Sequence, residues 1–127
     1  MAKPINHDKE KELEQQASYI WKTRKEIDFS LYDISSLLGV TPDTFSHWER
    51  GDRVAPYAAI EMLDMIYSVC IAFDEISKHS DVATNWREVL QEEGVSYMVE
   101  YLLYLSKRGY VKKTEDAPFQ RRHQDKK

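Results

Sequence analysis

The side chains best able to act as nucleophile, base or metal ligand are few in this sequence: four histidines and one cysteine. His7, His47, His79 and His123 stand far apart, with no HxxxH or HExxH spacing, and Cys70 has no companion in a CxxC. A metal site needs three or four such ligands brought together, and nothing in their spacing does so; the expectation is no metal and no cofactor. No GxGxxG, P-loop or Gly-x-Ser-x-Gly turn is present, so no motif points to catalysis. The chain therefore reads as a non-enzyme, whose chemistry is hydrogen bonding and charge pairing. Cys70 lies in the apolar run Val69–Phe73, which suggests a buried thiol. A lone cysteine forms no internal disulfide, in keeping with a reducing, cytoplasmic setting.

The elements that must position any binding residues are helices. Of 127 residues, 42% are hydrophobic and 31% charged, with only 4 Gly and 4 Pro. This is the profile of a helix-rich globular chain, one domain or a small domain with an appendage. Strand-like alternation never persists, whereas apolar residues recur at helical spacing throughout. The expectation is an all-α protein of five to six helices. The apolar runs fall far short of the roughly 20 residues of a membrane-spanning helix. Met1–Asp8 lacks the apolar core of a secretory signal, so no membrane partner is expected.

Helix boundaries follow from capping chemistry. A first helix starts after Asn6 and runs to about Lys25; residues 1–12 are a polar arm, while Leu13, Ala17, Ile20, Trp21 and Arg24 form the docking part. A second opens at Ser30, with Asp33 three residues on as in a capping box, and stops at Gly39. It places Ile34, Leu37 and Leu38 on one face. Thr41 caps a third helix with Pro42 at its first position and Asp43 at its positive end; Phe45 and Trp48 face inward and Gly51 ends it. A long helix spans about Pro56 to Ser77. A two-turn helix covers roughly Asp81 to Glu92, and a last one, capped by Ser96, runs to Arg108. Residues 111–127 read as a disordered basic tail.

Phe29–Pro56, FSLYDISSLLGVTPDTFSHWERGDRVAP, carries the most information. Two short helices meet at a tight Gly39-Val40 turn, and the second opens with a cap, a proline and exposed polar residues: a helix-turn-helix pattern. The segment also resembles the Cro/CI (XRE-type) family of DNA-binding domains. Ile34-Ser35 stands for the family's Leu-Ala, Leu38-Gly39-Val40-Thr41 for its turn, and Phe45-Ser46 for its apolar-Ser pair. Trp48-Glu49-Arg50-Gly51 matches its aromatic-Glu-x-Gly signature, and Pro56 stands where the family often closes the loop. With the first helix, the likeness covers about 45 residues. One departure is Leu31, where the family commonly has a phosphate-contacting Gln; another is Ser35 in place of Ala.

The resemblance implies a division of labour. Arg24 and Glu49 form a structural ion pair clamping the first helix to the third. The third helix lies in the major groove of double-stranded DNA, where Asp43, Thr44, Ser46 and His47 are base-contact candidates. Thr44 suits a thymine methyl or an acceptor, Asp43 cytosine N4, and His47 guanine N7 or O6. An equally weighted alternative keeps Asp43 as a helix-end acid contacting His47 one turn on. Arg50 and Arg53 are the best phosphate ligands, followed by Lys22, Lys25 and the amide end at Ser30; for each lysine a solvated surface charge is an equal alternative.

Taken alone, the net charge of −4 argues against a nucleic-acid partner, but its distribution is uneven. Residues 1–28 sum to 0, 29–56 to −2, 57–110 to −5 and 111–127 to +3. Exposed charges more than about 8 Å away are largely screened at physiological salt. The DNA-binding domain is assigned to 13–68 and a dimerisation or partner-binding region to 69–110. Tyr97, Tyr101 and Tyr104, at i, i+4, i+7, are interface candidates with Met62 and Met65; the tyrosine stripe could equally line the core. The leading expectation is a homodimeric transcriptional (auto)repressor reading an inverted repeat through the helix beginning at Pro42. The alternative is an antitoxin or adaptor whose C-terminal helices bind a toxin-like partner protein.

Overall fold

Local chemistry decides where each helix begins and ends. The computed structural model describes residues 7–109, and within them the fold is all-α. Its six helices are α1 (His7–Glu26), α2 (Leu31–Leu38), α3 (Pro42–Arg50), α4 (Tyr57–His79), α5 (Trp86–Glu93) and α6 (Val95–Lys107). The expected cap at Asn6 and the expected tail at 111–127 lie outside the described residues. No helix among the described residues is long and apolar enough to cross a membrane.

The chain divides into two compact units after Leu63, inside α4. In the first, Ala17, Ile20, Thr23 and Arg24 form the buried stripe of α1, and Ile27 just beyond its end is buried as well. Trp21, expected in that stripe, is instead 47% exposed. One residue turns the helix by 100°, which carries Trp21 off the line drawn by Ile20 and Arg24. α1 ends in a left-handed residue, Asp28 (φ 57°), a conformation that Asp tolerates better than most side chains. The Phe29 N–H then bonds to the Arg24 carbonyl at 3.2 Å. Ile34, Phe45 and Trp48 complete the core, with the last two rings 5.9 Å apart.

The second unit is packed by apolar side chains. Ile66, Val69, Cys70, Phe73 and Ile76 are buried along α4 at helical spacing. Phe73 stacks on Trp86 (6.1 Å between centroids) and meets Tyr101 at 5.5 Å. Burial pushes the Cys70 thiol up from 9.0 to about 12, against the pull of the Arg87 charge, so it stays protonated and unreactive at neutral pH.

Two boundaries in this unit differ from expectation. α5 starts at Trp86 rather than near Asp81 because 82–85 form a turn in which Ala83 takes φ 62°, which no right-handed helix contains. Its carbonyl accepts the Ser77 hydroxyl at 3.3 Å. α6 is preceded by Gly94 (φ 90°, ψ 173°) and has no side-chain cap, so Ser96 lies inside the helix rather than at its cap. That backbone conformation is essentially confined to glycine.

Candidate functional site

Each helix of the α2–α3 pair is capped at both ends by its own residues. The Ser30 hydroxyl accepts the Asp33 N–H at 3.0 Å. Gly39 takes φ 72°, its N–H reaches the carbonyls of Ser35 and Ser36, and the Val40 N–H bonds to Ser35 O at 3.0 Å. The Thr41 hydroxyl oxygen accepts the Thr44 N–H at 3.1 Å and donates its proton to Thr44 Oγ1 at 2.9 Å. Gly51, at φ 77°, closes α3 against the carbonyls of His47 and Trp48. The Ser30 and Thr41 N-caps are worth about 1 kcal/mol each, and only three residues, 39–41, link the two helices. The Ser35 hydroxyl donates to Tyr32 O, which lets a small polar residue be buried in α2.

The inner edge of α3 is anchored to α1. Arg24 Nε donates to Glu49 Oε2 at 2.8 Å, both side chains being largely buried, and Arg24 Nη1 donates to Phe29 O at 2.8 Å. The guanidinium thus ties α1, the α1–α2 link and α3 together. With Phe45 and Trp48 buried beside it, α3 is fixed in rotation about its axis. Pro42 and Asp43 are consequently exposed, while Thr44, Ser46 and His47 are partly so. All four base-contact candidates therefore retain solvent-accessible surface at the start and middle of one short helix.

His47 is not a free reader. Its Nε2 lies 3.6 Å from Asp43 Oδ2, and its Nδ1 lies 3.2 Å from Asp52 Oδ2. Arg50 also turns inward on this cluster, with Nη2 3.0 Å from His47 Nδ1 and Nε 3.2 Å from Asp52 Oδ2. Asp43 and His47 meet at the i, i+4 spacing already visible in sequence; Asp52 is the member that sequence reasoning missed. Its signal is Gly51, whose left-handed turn brings the Asp52 N–H to the His47 carbonyl at 3.0 Å and its carboxylate back over the ring. Two of the cationic or polar candidates are thus engaged by one acid.

The remaining cations differ in state. Arg53 and Lys22 are exposed and have no hydrogen-bond or ion-pair partner among the described residues. Lys25 lies over the Trp21 ring, 5.8 Å from its centroid. Ser30 is exposed at the start of α2 but already caps it. The loop carrying Arg53 is fixed by a contact with no sequence signal: Gln16 Oε1 accepts the Ala55 N–H at 2.9 Å, and Gln16 Nε2 donates to Ala55 O at 3.5 Å. This amide clamp ties the loop to α1 at Ala55.

The interface candidates fall into both units. Tyr97, Tyr101 and Tyr104 form a chain of ring contacts at 6.4 Å each; Tyr97 and Tyr104 are about half exposed, while Tyr101 turns towards Phe73. Met62 is exposed and Met65 partly buried. No cluster of three or more His, Cys, Asp or Glu among the described residues is arranged to hold a metal ion. The chain matches no family model, no curated protein and no solved structure.

Proposed function

We propose that this protein binds double-stranded DNA through the outer face of α3 and acts as a homodimeric transcriptional repressor. The observation that carries the reading is the presentation of α3. Its inner edge is locked by Phe45, Trp48 and the Arg24–Glu49 pair, both of its ends are capped, and Asp43, Thr44, Ser46 and His47 are left accessible. A B-form major groove, about 12 Å wide, admits one such helix. Thr44 offers a hydroxyl proton and a methyl, suited to an acceptor or a thymine methyl. Asp43 suits cytosine N4, and His47 a purine N7.

Arg53 and Lys22, both exposed, supply phosphate contacts. Their small number, with the acids beside α3, implies weak sequence-independent binding and dependence on two half-sites, roughly 34 Å apart. Repression would be steric, a dimer on an inverted repeat excluding polymerase. The resemblance of Phe29–Pro56 to the Cro/CI family supports the same reading.

Arg53→Ala provides the test. Binding to a fixed duplex, measured over a series of salt concentrations, is expected to weaken and to lose about one unit of log–log salt slope. Unchanged affinity and slope would remove Arg53 from the contact set. The half-exposed aromatic surface of α6 favours a second reading, an antitoxin or adaptor; a stable complex with a different chain and no DNA affinity would select it.

A further inference from the structure

We propose that the outer face of α6 is a two-fold interface, covered by the same face of a second copy running antiparallel. The proposal rests on the dimeric reading above and assigns the surface that makes the dimer. The inner face of α6 is accounted for, since Val95, Met98, Leu102 and Leu105 are buried. The outer face is not. Tyr97 is 47% exposed, and Leu103 and Tyr104 are each 50% exposed, so the middle of this face is apolar, with the Arg108 guanidinium 4.4 Å from the Tyr104 ring centroid at its edge.

Charge chooses the occupant. Glu100 and Lys107 flank Leu103 and Tyr104 on the same side of the helix, both exposed and neither with an ion-pair partner among the described residues. They stand two turns apart, about 10 Å along the axis. A second α6 laid antiparallel about a two-fold between positions 103 and 104 brings each Glu100 against Lys107 of the other copy. The same operation packs Leu103 on Tyr104 of the second copy, twice. A parallel arrangement would oppose Glu100 to Glu100 and Lys107 to Lys107. The antiparallel pair also sets opposite helix dipole ends side by side. The face is therefore complementary to itself in one orientation, as an isologous contact requires.

A 13-residue helix is about 20 Å long, short for the roughly 800 Å² per partner of a standard interface. The dimer is expected to be in concentration-dependent exchange with monomer. Sedimentation equilibrium of the full chain without DNA, from micromolar to near-millimolar concentration, tests this. Leu103→Asp is expected to raise the dissociation constant more than about tenfold. Glu100→Lys and Lys107→Glu each place like charges opposite one another and should weaken the dimer several-fold, whereas the double charge swap, again self-complementary, should return it towards wild type. All three positions are exposed, and unchanged helical circular dichroism would show that the variants fold.

Wild type that stays monomeric throughout overturns the proposal, whether another protein or residues 110–127 then cover the face. So does a charge-swapped double variant no tighter than its singles. Binding of a single half-site by the Leu103→Asp variant separates the two claims. If it is retained while the dimer is lost, both hold; if it is absent from wild type as well, the DNA reading fails independently of the dimer.

Discussion

Up to Leu63 the chain is organised by polar contacts that each admit one geometry. Arg24 bridges Glu49 and the Phe29 carbonyl, Gln16 grips both backbone groups of Ala55, and Ser30, Gly39, Thr41 and Gly51 close helix ends. From Asp64 the organisation changes. Phe73, Trp86 and Tyr101 share ring contacts, Leu90, Met98 and Leu105 are buried with them, and neither α5 nor α6 has a side-chain cap. The difference lies in what holds each unit together. Apolar packing supplies stability without fixing one orientation finely. Directional hydrogen bonds hold a particular helix face at a particular angle, as the proposed reading of DNA by α3 would require.

The contrast can be broken at either end. Phe73→Ala is expected to cost about 3–5 kcal/mol, with lost amide protection concentrated in α5, α6 and the second half of α4. Equal loss in α2 and α3 would show that the two units do not differ in what sustains them. Arg24→Ala strands Glu49 and the Phe29 carbonyl and is expected to cost about 3 kcal/mol, seen as a lower urea midpoint and loss of protection in α3. Replacing both members, Arg24→Met with Glu49→Leu, should recover much of that stability. If stability returns but DNA affinity does not, the pair serves to orient α3.

A finer test lies at Asp52. Its carboxylate is 3.2 Å from both His47 Nδ1 and Arg50 Nε, so it engages two groups that the proposed reading assigns to DNA. Asp52→Asn removes one negative charge beside α3 and is expected to tighten binding to unrelated duplex several-fold at low salt, an effect of about 1 kcal/mol or less for exposed charges. Unchanged affinity would mean that Arg50 is turned away from DNA for reasons other than Asp52.

What was legible in the sequence follows the same division. Ser30, Gly39, Thr41-Pro42 and Gly51 act on their own helix ends, so their residue types alone placed α2 and α3. The Arg24–Glu49 pair came through the family resemblance, because no local rule joins positions so far apart in the chain. Gln16 with Ala55 left no trace, since a partly buried Gln before an apolar stripe looks like any surface amide. In the second unit, Ser96 was a decoy for Gly94, and the positive φ of Ala83 has no residue-type signature. The all-α class was readable from periodicity, and so was the inward face of α3, where Phe45 and Trp48 are buried; the edges of the packed faces of α1 and α6 were not. Trp21 on α1 and the tyrosines on α6 illustrate the reason: hydrophobicity alone does not say whether a ring is covered by its own chain.

Selection of bound duplex from a random pool, run in parallel on wild type and Thr44→Ala, tests the central claim most directly. Wild type is expected to enrich an inverted repeat with half-sites about one helical turn apart. The Thr44 variant should relax the preference at one position in each half-site, a change of about 1–3 kcal/mol, and leave the spacing unchanged. No enrichment by wild type, or an identical motif from both proteins, would contradict the assignment of α3 as the reading helix.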